Sequence, residues 1–145
     1  IRHCAQRPRP GQRGTWIVDE MIEAYVAFHR LGHVHSVETW INGELVGGLY
    51  VVSIGKALFG ESMFALQSNA SKIALAALIG FARAHDMPWI DCQQNTRHLA
   101  SLGAREIKRS DFLAAVARDI RLPSPVWKFD SIYWNELDPL APLSQ

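Results

Sequence analysis

The feature that most constrains the fold is a stretch in which apolar and polar residues alternate between short turn signals. Alternation with a period of two indicates β-strands. Asn42-Gly43 and Gly55-Lys56 are dipeptides that join antiparallel neighbours through tight turns. The sequence therefore predicts an antiparallel meander of three strands. These strands are residues 35–42 (HSVETWIN), 44–54 (ELVGGLYVVSI) and 57–64 (ALFGESMF).

Helices are predicted on both sides of the meander. Residues 18–31 repeat apolar side chains with a helical period, and Gly32 stands where a C-terminal cap belongs. Residues 70–85 (ASKIALAALIGFARAH) are apolar on nearly every side, which predicts a helix buried against the sheet. Ser68 or Asn69 can cap its start.

A further strand is predicted over residues 88–93. Because a helix separates it from the meander, it can join the sheet in parallel with the preceding strand. The later predicted elements are a short helix ending at Gly103, a strand over residues 104–108 and a helix from Ser110 or Asp111 to about Ile120. The expected fold is α/β (α+β): one domain with a mixed sheet, an antiparallel meander and flanking helices.

The two ends of the chain differ from the middle. Residues 1–14 are predicted to be an irregular basic arm that carries Arg2, Arg7, Arg9 and Arg13 and no acid. Such an arm suits phosphate contacts, although solvated terminal arms are commoner. The domain is expected over residues 15–122, followed by a proline-rich, extended tail over 123–145. Since the chain begins with Ile1, we expect it to be a fragment of a longer protein.

Cysteine and histidine usage points away from disulfides and metal. Cys4 and Cys92 are the only cysteines, and we expect thiols in a reducing cytoplasm. His29, His33 and His35 straddle a helix end and a strand start, and no further ligand joins them. We expect a monomer without metal or cofactor. No apolar run is long enough for a membrane span.

The strand at 88–93 ends in side chains that suit chemistry: Asp91, Cys92 and Gln93. Because side chains alternate along a strand, Asp91 and Gln93 are expected on one face and Cys92 on the other, towards the core. A carboxylate beside an amide can hold an amine and help remove its proton. The two residues can equally cap the end of the strand, and the pattern alone leaves both interpretations open.

Seven motifs stand out along the chain: TWI at 15–17, HSVETW at 35–40, LVGGLY at 45–50, FGESMF at 59–64, NASKIAL at 69–75, IDCQ at 90–93 and HLASLGAREI at 98–107. They resemble the leucyl/phenylalanyl-tRNA–protein transferase family over roughly residues 2–113, and the order of elements resembles the GNAT acyltransferase fold. That family transfers Leu or Phe, and less readily Met, from aminoacyl-tRNA to proteins with N-terminal Arg or Lys, which marks them for degradation by the bacterial N-end rule. The resemblance implies a GNAT-like C-terminal domain that normally follows a smaller N-terminal one.

The resemblance also implies roles for individual residues. Asp91 and Gln93 correspond to the proposed catalytic pair, and Glu61 with Ser62 lies where the cationic acceptor binds. The remaining substrate-binding positions are Ile90, Leu49, Met63 and Trp16. Leu49 and Met63 would line the pocket for the donor's side chain, and Trp16 would stack on the terminal adenosine of the tRNA. The chain departs from the family pattern at Val51, Ala65-Leu66, Lys108 and Ser110.

Two other functions stay open on the sequence. An acyl-CoA N-acetyltransferase of GNAT type needs a glycine-rich turn at the pyrophosphate, and residues 64–70 contain no glycine. A non-catalytic module that binds N-terminal Arg or Lys would need no donor pocket. The two alternatives are separated by a CoA titration and a transfer assay.

Overall fold

The computed structural model describes residues 1–6 and 16–137, which form a four-stranded mixed sheet with helices on both faces. The strands lie side by side in chain order, β1-β2-β3-β4. The elements are α1 (Arg2–Gln6), α2 (Asp19–Arg30), β1 (Val34–Ile41), β2 (Glu44–Ile54), β3 (Ala57–Ala65), α3 (Ala70–Ala84), β4 (Ile90–Asp91), α4 (Arg97–Ser101), α5 (Arg109–Asp119) and a 3₁₀ helix (Ser131–Leu137).

The predicted meander is confirmed. β1 pairs with β2 and β2 with β3, both antiparallel, and the strand bounds lie within one residue of those expected. Asn42 and Gly43 both have positive φ, 51° and 81°. That conformation matches the right-handed twist of the flanking strands, and it explains why an Asn-Gly pair is needed at this turn.

The fourth strand is parallel to β3, as predicted, but shorter than residues 88–93. Ile90 lies opposite Leu58 and Asp91 opposite Phe59. β3 continues to Ala65, whereas β4 ends at Asp91. Pairing between the two strands therefore stops at the Phe59–Asp91 pair, and we call the region that follows the β3–β4 gap.

Two apolar clusters cover the two faces of the sheet. On one face α3 packs on β2 and β3, and its cluster contains Leu49, Val51, Leu58, Leu78 and Phe81 among its buried members. On the other face α2 packs on β1 and α1 on β3 through the second cluster, whose buried members are Cys4, Ile17, Ile22, Val34, Tyr50 and Phe64. We call these the α3 face and the α2 face.

A β-bulge interrupts β3 next to the gap. Tyr50 of β2 lies opposite Ser62, but the next residue, Val51, lies opposite Gly60. Glu61 is therefore the extra residue and has no partner on β2. Bulges re-aim side chains next to functional sites, and an isolated glycine inside a strand, here Gly60, is the usual sequence signal for one.

Two predictions of secondary structure were wrong. Residues 104–108 form no strand, since Arg105 to Lys108 are exposed and have no neighbouring strand to pair with. The first residues are not irregular: α1 is helical, and Cys4 is only 3% exposed because it packs into the α2-face cluster. The rest of the predicted basic arm, residues 7–14, lies outside the described residues.

The expected extended tail is partly helical. Residues 123–130 contain neither helix nor strand, as predicted, but the 3₁₀ helix follows and packs against α3. Trp127 stacks on His35 at a centroid distance of 4.1 Å, and Arg83 donates to the carbonyl oxygen of Glu136 at 2.6 Å. The described part of this segment is thus joined to the domain. Residues 138–145 lie outside the described residues.

Within residues 1–6 and 16–137 no helix has the length and apolar character needed to cross a membrane.

Candidate functional site

The predicted apolar site residues come together at the edge of the β3–β4 gap. Leu49 and Met63 lie directly opposite each other on β2 and β3. Ile90 and Met63 both pack, half-buried, against the α3-face cluster to which Leu49 belongs. Side chains directly opposite on an antiparallel pair lie within contact distance. All three residues therefore belong to or border the same α3-face cluster, and we call them the apolar wall; Met63 is on β3 and Ile90 on β4.

Glu61 stands on the opposite face of the sheet. Its bulge position directs the carboxylate towards α2, where the hydroxyl of Tyr25 donates a hydrogen bond to Glu61 Oε2 at 2.7 Å. Ser62, the next residue, is half-buried and lies opposite Tyr50 in the ladder. An acid and an apolar wall thus flank the gap from its two faces.

Tyr25 is a residue that the sequence did not single out as functional. Its ring packs edge-on against Tyr50, with centroids 5.3 Å apart and planes at 76°. Burial, reinforced by the Glu61 carboxylate, raises the pKa of the Tyr25 phenol well above its usual value. The hydroxyl therefore stays protonated, and it remains a donor to Glu61 throughout the neutral pH range. The sequence signal that could have identified Tyr25 is a tyrosine on the apolar side of a predicted helix.

Asp91 is the last residue of β4 and is half-buried. Its Oδ1 accepts a hydrogen bond from the backbone N–H of Gln93 at 2.8 Å. This is the strand-end cap that the second interpretation predicted. A carboxylate has about four acceptor positions on its two oxygens, so this cap leaves room for further donors.

The prediction that strand alternation places Gln93 beside Asp91 was wrong. The strand ends at Asp91, and Gln93 has a φ of 61°, with its side chain exposed. Alternation holds only for extended backbone, and the cap turns the chain before Gln93 is reached. Gln93 is joined to Asp91 through its backbone N–H, and its side chain lies on a segment that is exposed to solvent.

The thiol between these two residues is not activated. Cys92 is half-buried, and its sulfur lies 3.7 Å from the Ile90 carbonyl oxygen. Burial, together with the charge of Asp91, raises the pKa of the Cys92 thiol. A thiol with a raised pKa is a poor nucleophile at neutral pH. Neither cysteine is in a disulfide.

Trp16 is separated in sequence from the other predicted site residues and lies just before α2. Its side chain is 43% exposed, whereas the next residue, Ile17, is buried in the α2-face cluster. An exposed indole on an anchored backbone is available for stacking.

The loop between β3 and α3 is poorly suited to a pyrophosphate. The backbone N–H groups of Leu66 and Gln67 both donate to the carbonyl oxygen of Val46, at 2.7 and 3.3 Å. Amides already bonded within the protein are not free to cradle phosphate oxygens. This weighs against the acyl-CoA alternative.

The histidines near the start of β1 make structural contacts. His29 Nδ1 lies 2.6 Å from the Val34 carbonyl oxygen, and His35 Nε2 lies 3.0 Å from that of Gly32. Among the described residues no three His, Cys, Asp or Glu side chains are grouped to hold a metal ion.

The chain is similar to the leucyl/phenylalanyl-tRNA–protein transferase of Polaromonas sp. (strain JS666 / ATCC BAA-500), with 59% identity over 137 residues, 94% of this chain and 54% of the relative. The enzyme of that name from Leptothrix cholodnii is 55% identical over 143 residues, 98% of this chain and 56% of the relative. For Paraburkholderia phytofirmans the identity is 56% over 144 residues, 99% and 58% of the two chains.

The chain spans about half the length of the curated relatives it matches. The family model described as leucyl/phenylalanyl-tRNA protein transferase matches residues 1–117, a range that includes every element from α1 to β4 and all the residues placed around the gap. With that match over most of its length, the chain belongs to the leucyl/phenylalanyl-tRNA–protein transferase family.

Proposed function

We propose that this chain transfers Leu or Phe, and less readily Met, from aminoacyl-tRNA to the N-terminal Arg or Lys of acceptor proteins. The observation that carries this proposal is the family match over residues 1–117, which contains the whole β3–β4 gap. The geometry supports it, because an apolar wall and an acid flank the gap while a carboxylate ends the shorter strand. The apolar wall suits an apolar donor side chain, and the acid suits a cationic acceptor.

The proposed reaction forms an amide bond and breaks an ester bond. The acceptor's α-amine attacks the aminoacyl carbonyl carbon, so a C–N bond forms, and the C–O bond to the tRNA's terminal ribose breaks. The amine must lose a proton, and the ribose oxygen must gain one. Asp91 is suited to hold the incoming ammonium and to take its proton, since its carboxylate lies at the mouth of the gap. Gln93, on the same turn, is suited to orient the reacting groups.

The substrates are assigned to the surfaces already described. The donor's Leu or Phe side chain packs against Leu49, Met63 and Ile90, and the acceptor's positive charge meets Glu61 with Ser62 beside it. Trp16 stacks on the terminal adenosine. We also propose that the protein acts as a monomer in the cytoplasm, where aminoacyl-tRNA is found, and that its products enter N-end-rule degradation.

The decisive experiment is a transfer assay with labelled Leu-tRNA and a peptide that begins with Arg. We expect label in the peptide, and none when the peptide's α-amine is acetylated. Binding of the Arg peptide without transfer would instead identify a non-catalytic reader of N-terminal Arg or Lys. Transfer from acetyl-CoA in place of aminoacyl-tRNA would identify an N-acetyltransferase.

The donor pocket makes a prediction about specificity. Met63→Ala should enlarge the space beside Leu49 and raise the ratio of Phe to Leu transfer by about tenfold, the usual worth of one or two methylenes in an apolar pocket. The measurement is a competition between Phe-tRNA and Leu-tRNA at equal concentrations.

Met87→Ala is the matched control for this change. Met87 is 5% exposed and belongs to the same α3-face cluster, but it does not lie on either strand that borders the gap. This variant should lose stability and keep the wild-type ratio. An unchanged ratio in Met63→Ala would mean that Met63 is only a core residue.

A further inference from the structure

The hydrogen bond between Tyr25 and Glu61 joins a helix to the bulge of β3, across 36 residues of sequence. Glu61 is the residue without a partner on β2, so the ladder does not fix its backbone as firmly as it fixes Ser62 or Met63. A glutamate side chain has three rotatable bonds, and at such a position it needs a second restraint to keep one orientation.

Tyr25 is well placed to supply that restraint. Its ring is fixed by the edge-on contact with Tyr50, which is itself 2% exposed. α2 is fixed in turn by Ile22 and Val26, which pack in the α2-face cluster with Tyr25. The 2.7 Å bond therefore holds Glu61 Oε2 against a rigid part of the molecule. Among the described residues no other side chain bonds to Glu61, which leaves Oε1 for a ligand.

We propose that Tyr25 is a positioning residue for the acceptor: it orients the Glu61 carboxylate so that the free oxygen meets the acceptor's N-terminal Arg or Lys. This inference rests on the proposed function only in naming the acceptor. It assigns Tyr25 no contact with the donor and no part in proton transfer. A residue that acts in this way changes acceptor affinity and leaves donor affinity unchanged.

Tyr25→Phe is the informative variant, because it keeps the ring and removes only the hydroxyl. We expect the Kd for an Arg-initiated peptide, measured by titration calorimetry on the chain, to rise about tenfold, the worth of one hydrogen bond to a charged group. In the transfer assay the KM for the peptide should rise by the same factor, while the KM for Leu-tRNA stays within about twofold.

Tyr133→Phe is the matched control. The Tyr133 hydroxyl lies 3.1 Å from His85 Nε2, half-buried like that of Tyr25, but on the 3₁₀ helix behind α3. This variant should bind the peptide as the wild type does. If its Kd rises as much as that of Tyr25→Phe, the effect is a general loss of stability, and the positioning role is wrong.

A double-mutant cycle tests whether Tyr25 acts through Glu61. In a Glu61→Ala background, Tyr25→Phe should change the peptide Kd no further, since the group that it orients is gone. Additive effects of the two changes would overturn the proposal, as would an unchanged Kd in the single Tyr25→Phe variant.

The two proposals fail in different ways. If the wild-type chain binds the peptide but transfers nothing, the proposed reaction is wrong, and the peptide Kd values still decide the role of Tyr25. If transfer occurs and Tyr25→Phe equals the wild type in both assays, the positioning role alone is wrong. A wild-type chain that neither binds nor transfers overturns both.

Discussion

Asp91→Asn should lower the rate of Leu transfer by about 10²–10⁴-fold, the usual contribution of a general base, while the protein remains folded. Asparagine has nearly the same shape, and its side-chain oxygen can still accept the Gln93 N–H bond that caps β4. Only the negative charge and the capacity to take a proton are lost. The measurement is single-turnover transfer from labelled Leu-tRNA, with thermal unfolding to verify the fold.

Asp130→Asn provides the matched control for Asp91. Asp130 accepts the backbone N–H of Ile132 at 3.0 Å, the same local arrangement as between Asp91 and Gln93, but just before the 3₁₀ helix. We expect normal transfer from this variant. Near-normal turnover by a folded Asp91→Asn protein would remove Asp91 from the mechanism and leave it as the end cap of a strand.

Asp119→Ala should lower the free energy of unfolding by about 2–4 kcal/mol, because it removes charged hydrogen bonds and leaves a half-buried donor unpaired. Asp119 is 1% exposed and accepts from Trp89 Nε1 at 2.7 Å and from Arg118 Nε at 2.7 Å. Its backbone oxygen accepts from Lys56 N, and a Cβ at Gly55 would lie 2.4 Å from that oxygen. The end of α5, the β2–β3 turn and the residue before β4 therefore meet at Asp119, the turn at its backbone and Trp89 at its carboxylate.

The loss of stability in the Asp119 variants should depend on pH. Hydrogen bonds from Arg118, with a smaller contribution from Trp89, lower the pKa of Asp119 below its usual value of 3.8. The carboxylate thus stabilises the folded state above that pH, and its contribution is lost as the pH falls through the lower folded-state pKa. The stability difference between the wild type and Asp119→Asn should be constant near neutral pH and shrink below about pH 4.

Urea unfolding of Asp119→Ala and Asp119→Asn at several pH values measures both effects. Asp111→Ala is a suitable control, because Asp111 lies exposed in the first turn of the same helix. It should change stability little, as exposed charges usually do. A full-sized effect in this control, or none in Asp119→Ala, would contradict the assigned role.

Local signals explain why so much of the meander was predicted correctly. Turn dipeptides such as Asn42-Gly43 act within a few residues, and alternation fixes which side chains share a face. The strand predicted over residues 104–108 lacked any such support. A strand needs a neighbouring strand for its backbone hydrogen bonds. The sequence of residues 104–108 does not indicate whether such a neighbour is available.

The candidate site shows the same limit. Leu49 and Met63 could be placed on neighbouring strands from the sequence but not paired, because the register set by the β2–β3 turn would put Leu49 opposite Ser62 and the bulge at Glu61 shifts it by one. The bond between Tyr25 and Glu61 depends on where α2 packs on the sheet, and no periodicity reports that. Gln93 was misplaced because the alternation rule was extended past the residue at which the backbone stops being extended.

The bulge at Glu61 bears on which changes the gene can tolerate. Leu58 and Met63 lie on the α3 face although their positions differ by five, and Phe64 lies on the α2 face, because one residue is left out of the ladder. The loss of the Glu61 codon would leave a regular ladder in which Met63 and Phe64 keep their faces, so the packing of the sheet does not require the extra residue. We expect a chain without that codon to fold, and to lose only the carboxylate that meets Tyr25.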